Sequence, residues 1–197
     1  MSTEKFDFEK CLLSCSDLSS IYSFLTKGQS ELNADSILRA EFVLLVSSFD
    51  NYIHQVVTRK LVDLFFLGTV SCTENLISLT DFQRIYQETN QTNKEQLLFS
   101  AITKRLSKDS FQSPQSIDYA LGLIGIRHIW STISPLFPLT SEQLRTTLSL
   151  IVLRRNQIAH EADIDKMTGQ YRNIDIQTVE DCKEFLTKFV SAIDSLI

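Results

Sequence analysis

Glycine and proline are scarce in this chain, with five and three among 197 residues. That excludes a collagen-like or low-complexity sequence, and with so few turn residues and little apolar–polar alternation it argues against a many-stranded β fold. Histidine is also rare. His54, His128 and His160 are scattered, and Cys11, Cys15, Cys72 and Cys182 form no CxxC pair or zinc-type spacing, so no metal site and no cofactor are expected. Cys11 and Cys15, one helical turn apart, are expected to be small thiols on a packed face. Basic residues are outnumbered, 19 Lys and Arg against 24 Asp and Glu for a net charge of −5. Such a balance disfavours a sequence-independent nucleic-acid coat but leaves room for a small local phosphate site.

Long apolar runs are missing as well. The most apolar stretch, Phe42 to Phe49, is far too short to cross a bilayer, and "MSTEKFDFEK" has no apolar segment of the kind a secretory leader needs. A reduced, cytoplasmic protein without membrane association is the expectation, and the glycosylation-like Asn90-Gln91-Thr92 is then a chance match.

What is present is an ordinary globular composition, 43% hydrophobic and 22% charged, sufficient for a real core. The expected organisation is all-α, one helical-bundle domain over residues 1–197 with a long central second helix. The first helix is expected from Phe6 to Leu25, ended by Lys27-Gly28. The second runs from Ala34 to Phe66, with Leu38, Phe42, Leu45, Phe49, Tyr52 and Val56 in alternating steps of four and three. After a connection around "GTVSCTENLISLTD", Thr80 or Asp81 is placed to cap a short helix through Tyr86, and "ETNQTN" reads as a polar loop. A helix over Lys94–Leu106, one starting at Pro114, and a packed connection "HIWSTISPLFP" follow. Thr140 and Gln143 form a capping box for the next helix. A loop or short hairpin then leads to a last helix capped by Thr178 and Asp181.

The helix opened by Thr140 carries the least ordinary residues. Leu144, Leu148, Ile151, Arg155 and Ile158 form one narrow stripe at about 100° per residue, so Arg155 stands where a leucine is expected. Burying a guanidinium is costly without a partner. Asp50, in the seam of Val43, Val46, Ile53 and Val57, is expected to face inwards and to pair with Arg155, with Arg39 and Arg127 as alternatives. Arg155 and His160 are separated by about 140° around an ideal helix. Either the helix distorts near Ala159, or the site is assembled between helices or between two copies.

"RRNQIAHE" resembles the arginine-asparagine-spacer-histidine signature of the HEPN superfamily, all-helical domains that include many metal-independent ribonucleases. "LRAEFVLLVSSFDNYIHQVV", "SFQSPQSIDYALGLIGI" followed by Trp130, and "IDIQTVEDCKEFLTKFVSAIDSLI" resemble the RiboL-PSP-HEPN group. The resemblance implies Arg155, Asn156 and His160 as catalytic residues, with Arg154 a second candidate arginine; Asp50, from its own place in the seam of the second helix, is expected as a supporting carboxylate.

It also implies a homodimer in which two motifs meet, an RNA substrate, and products with 2′,3′-cyclic phosphate and 5′-hydroxyl ends. A toxin–antitoxin or anti-phage defence setting, with an antitoxin or other defence partner, follows from the same resemblance. The residue types suit that chemistry: imidazole transfers protons near neutrality, and guanidinium offers a permanent forked donor to phosphate. Lys166 and Arg172, flanking the glycine loop after His160, are candidate substrate contacts. The competing expectation is a non-catalytic HEPN module that binds a nucleotide or a partner protein through the same groove, which the acidic net charge favours.

Overall fold

The computed structural model describes residues 2–27, 34–68 and 76–197. Gly28, expected to end the first helix, and Cys72 of the first long connection lie outside them. Among the described residues all regular secondary structure is helical, apart from one isolated antiparallel bridge. The helices are α1 (Thr3–Lys27), α2 (Asp35–Phe66), α3 (Leu79–Gln87), α4 (Gln91–Leu106), α5 (Pro114–Leu123), α6 (Ile129–Ile133), α7 (Ser141–His160) and α8 (Ile176–Asp194), with a 3₁₀ turn over Ser134–Leu136. The chain divides into two compact units, residues 1–52 with 130–197, and residues 53–129.

The first unit holds α1, the start of α2, α7 and α8. Each buries a stripe at helical spacing: Phe8, Leu12 and Cys15 of α1, Leu38, Phe42, Leu45 and Phe49 of α2, and Val179, Cys182, Leu186 and Phe189 of α8. Phe189 is an aromatic hub, edge-on to Phe49 at 5.8 Å and 5.4 Å from Trp130. Polar ties lock α1 to its neighbours. The Ser19 hydroxyl donates to the buried Glu41 at 2.6 Å, and Lys183 on α8 donates to Ser16. Burial raises the Glu41 carboxyl above its ordinary range, against the hydrogen bond from Ser19.

The second unit contains α2 from residue 53 onwards and α3 to α5, with Ile53, Val57, Leu98, Ile102, Leu106 and Ile117 buried. Here α3 packs on α4. His54 lies against Phe111, with ring centroids 4.4 Å apart.

Three helix starts differ from the sequence expectation. Ser78 rather than Thr80 or Asp81 caps α3, accepting from the Asp81 amide at 3.1 Å. Gln91 to Asn93, expected in a polar loop, form the first turn of α4 because Asn90 accepts from the Asn93 amide at 3.0 Å. Asp175 rather than Thr178 caps α8, accepting from the Thr178 amide at 2.8 Å. In each case an earlier Ser, Asn or Asp in extended conformation reaches the free amides of the first turn. "HIWSTISPLFP" is not wholly irregular, since it contains α6 and the 3₁₀ turn.

Candidate active site

Helix α7 starts as its sequence requires. The Gln143 amide donates to the Thr140 hydroxyl at 3.2 Å, and the Thr140 amide donates to the Gln143 side chain at 2.8 Å. Leu144, Leu148 and Ile151 are buried, and their stripe continues into the half-buried Arg155 and Ile158. The helix stops at His160, and the chain reverses through Ala162 and Asp163 at φ 52° and 57°. Non-glycine residues in that left-handed region each cost on the order of 1 kcal/mol or more, so the turn must be held from outside. The Asp163 amide donates back to the Gln157 carbonyl at 2.9 Å.

The rest of the hold comes from the Asp163 side chain, which is fully buried. It takes a forked pair of hydrogen bonds from Arg154, one of them at 3.0 Å, and a third from Arg39 Nε at 2.6 Å. Both arginines then reach main-chain oxygens, Arg39 that of Arg172 at 2.8 Å and Arg154 that of Asn173 at 3.1 Å. The Arg172 amide closes the set by donating to the Asp163 carbonyl at 2.8 Å. One buried carboxylate thus ties α2, the last turns of α7 and the following loop together. That loop is a minimal hairpin with an Ile164–Tyr171 bridge, turned at Gly169, whose φ of 68° suits glycine.

With Arg154 engaged by Asp163, Arg155 is the arginine left facing the motif. Its Nη1 donates to the Asn156 side-chain oxygen at 3.1 Å and lies 3.3 Å from His160 Nε2. A guanidinium has no acceptor, so the second contact is a hydrogen bond only when Nε2 carries no proton and the neutral ring keeps its proton on Nδ1. Arg155 forms no ion pair among the described residues, and its Nε is buried without a hydrogen-bond partner. The site therefore presents a guanidinium without a carboxylate partner beside an imidazole nitrogen.

Two expectations are corrected by this geometry. Arg155 does not pair with Asp50: its guanidinium turns to Asn156 and His160, and Asp50 is half-buried rather than buried on α2. Because α2 is apolar on most of its circumference, periodicity alone assigned position 50 too far inwards. Nor does the angular gap between Arg155 and His160 keep them apart within one chain. The long arginine side chain runs toward the helix end, and His160, the last helical residue, is exposed and free to fold back.

Lys166 and Arg172 both approach Glu161, at 3.8 and 3.6 Å, and Arg172 also donates to the Ile164 carbonyl at 2.9 Å. Lys166 is largely exposed, whereas Arg172 is held by the loop. Away from the site, burial pushes the Cys15 and Cys182 thiols up to about 11 and about 12, which keeps them protonated and poorly nucleophilic. Among the described residues no group of three or more His, Cys, Asp or Glu is placed to hold a metal ion, and no helix is long and apolar enough to cross a membrane.

Sequence reasoning missed Asp163 and Tyr171. The first was detectable only as one of several acidic residues in "HEADID". The ring of Tyr171 lies over the Arg39 guanidinium at 5.2 Å, a pairing between residues far apart in the sequence that no local pattern announces.

Comparison with known proteins agrees with this all-helical architecture. No curated protein and no solved structure matches the chain. The sequence model of the family described as RiboL-PSP-HEPN matches residues 9–197. HEPN domains are often ribonucleases, which supports a nuclease or RNA-related role. Because the match spans all but the first eight residues, the chain belongs to the RiboL-PSP-HEPN family.

Proposed function

We propose that the protein is an endoribonuclease that needs no metal ion and whose site is completed by a second copy of the chain. The observation that carries this reading is the Arg155 guanidinium, without a carboxylate partner, 3.3 Å from His160 Nε2. An RNA phosphate supplies the missing anion. As its oxygens take over the guanidinium, Nε2 is released to accept the proton of the adjacent 2′-hydroxyl. The O2′–P bond forms, the P–O5′ bond breaks, and the leaving oxygen takes up a proton, giving a 2′,3′-cyclic phosphate and a 5′-hydroxyl. Asn156 orients Arg155, and Arg155 stabilises the crowded phosphate.

Base and acid are both needed in one turnover, and each chain carries one motif histidine. A second His160 across a two-fold axis supplies the other group. The exposed leucines of α7 support that assembly. Leu150 and Leu153 are 59% and 54% exposed, and at about 100° per residue they fall within about 80° of His160 around the helix. Apolar side chains beside the motif suit a surface that meets its own copy. A role in toxin–antitoxin or phage defence, in the cytoplasm, is the setting most in keeping with such an enzyme.

One labelled single-stranded RNA tests the chemistry. Cleavage is expected to persist in EDTA, to leave the ends named above, and to stop when a single 2′-deoxy nucleotide is placed at the cut. His160→Ala is expected to fold normally and to lose two or more orders of magnitude in rate. Unchanged cleavage by His160→Ala would sink the site assignment, and 5′-phosphate products would mean a different mechanism. Binding of RNA or nucleotide without cleavage would favour the non-catalytic module.

A further inference from the structure

We infer that Tyr171 is a stacking platform for one unpaired nucleobase of the bound strand, and so a determinant of where RNA is engaged; as a specificity residue it rests on the nuclease reading above. Tyr171 is 64% exposed, which is unusual for a ring held so firmly. Its backbone is fixed by the bridge to Ile164, by the Asp165 amide donating to the Gln170 carbonyl at 2.8 Å, and by the Arg172 amide donating to the Asp163 carbonyl at 2.8 Å.

The ring is fixed from behind. The Arg39 guanidinium lies 5.2 Å from its centroid and cannot withdraw, because Nε is bound to Asp163 at 2.6 Å and Nη2 to the Arg172 carbonyl at 2.8 Å. Only 12% of the Arg39 side chain is exposed, so the cation backs one face of the phenol while the other meets solvent. A base on the open face completes a stack of guanidinium, phenol and base, with little ordering entropy left to lose.

Position relates this ring to the candidate chemistry. Tyr171 adjoins Arg172, whose guanidinium lies 3.6 Å from Glu161, the neighbour of His160. The carboxylate that fixes the turn after His160 is also the one that fixes Arg39 behind the ring. A strand bound at Arg155 that continues over this loop would meet Arg172 and Lys166, two cations that the single carboxylate of Glu161 only partly offsets, which favours a polyanion over an apolar protein surface.

The test uses the full-length protein and a single-stranded RNA in two forms. The first is uncleavable, 2′-O-methylated, with 2-aminopurine scanned along it. Quenching is expected at one position, to be lost in Tyr171→Ala and kept in Tyr171→Phe. The second is cleavable, intact or abasic at that position. Tyr171→Ala is expected to raise KM for intact RNA roughly 5- to 150-fold, the range that base–aromatic stacking supplies, with kcat nearly unchanged. The parent on abasic RNA should behave like Tyr171→Ala on intact RNA. A structural role alone would lower the melting temperature and weaken both RNAs equally, overturning the proposal. Tyr171→Ala cleaving intact RNA as the parent does would also overturn it while leaving the nuclease reading standing. Tyr171-dependent quenching without cleavage by the parent would keep the platform and remove the nuclease. Neither quenching nor cleavage would remove both.

Discussion

Replacing Asp163 with alanine tests the central packing claim. Its carboxylate is fully buried and shared by Arg39 and Arg154, whose side chains are 12% and 16% exposed. Removing one partner of a buried ion pair costs about 3–5 kcal/mol, because the opposite charge is left without compensation. Two guanidiniums are stranded here, but each has a small solvent window, which puts the loss at about 3 kcal/mol. For a chain of this size, each kcal/mol lowers the melting temperature by roughly 2–4 °C. Asp163→Ala should therefore melt about 6–12 °C below the parent in far-UV circular dichroism at neutral pH. Asp163→Asn keeps an acceptor and tolerates the positive φ, so a smaller loss is expected. Combining Asp163→Ala with Arg154→Met should cost less than the sum of the single changes, because one stranded cation is gone. An Asp163→Ala protein melting within about 2 °C of the parent would refute the shared-carboxylate account.

Four further outcomes are expected. Arg155→Lys should fold like the parent yet cleave RNA at least tenfold more slowly in single-turnover assays, because a point-charge ammonium cannot fork between phosphate oxygens and Asn156. Glu161→Gln should tighten RNA binding and steepen its salt dependence in titrations at varied ionic strength, since Lys166 and Arg172 lose their nearby anion. Asp175→Ala should lower the melting temperature by roughly 2–4 °C through loss of the α8 cap. The carboxyls of Asp175 and Asp165 are held below their ordinary range, chiefly by the backbone amides of Thr178 and Thr168 respectively. Groups lowered on folding contribute stability above the ordinary carboxylate range and lose it as pH falls through their folded values. Acid should thus loosen the 163–172 loop and the start of α8 only below that range, as followed by amide hydrogen exchange.

The all-helical architecture was legible because α2, α7 and α8 bury residues at regular steps, and because Thr140-Gln143 and Pro114 announce helix starts. Periodicity was silent where a helix is apolar nearly all round. That is why Asp50 was placed too deep. Cap signals were misread where two polar residues lay within one turn, as at Asp175 and Thr178. The motif residues were legible as types, but their meeting was not. The Arg155–His160 contact depends on side-chain length and on where α7 stops, neither of which an ideal helical wheel contains. The division of labour between Arg154 and Arg155 was hidden for another reason. It depends on Asp163, whose importance comes from a partner in α2, far away in sequence.

That distance has a kinetic meaning. The Arg39–Asp163 pair joins residues 124 positions apart, and closing a flexible loop of that length costs roughly 4 kcal/mol of chain entropy. Helix α7 can begin to form from its own capping box and apolar stripe, but the turn beyond His160 has no such local support. The turn becomes stable only when α2 is docked and the 163–172 loop has closed. Partly folded chains would then carry Arg155, Asn156 and His160 in the right order along a helix without the fixed ending that aims them. The site should be among the last parts of the molecule to mature, appearing with global folding and not with helix formation.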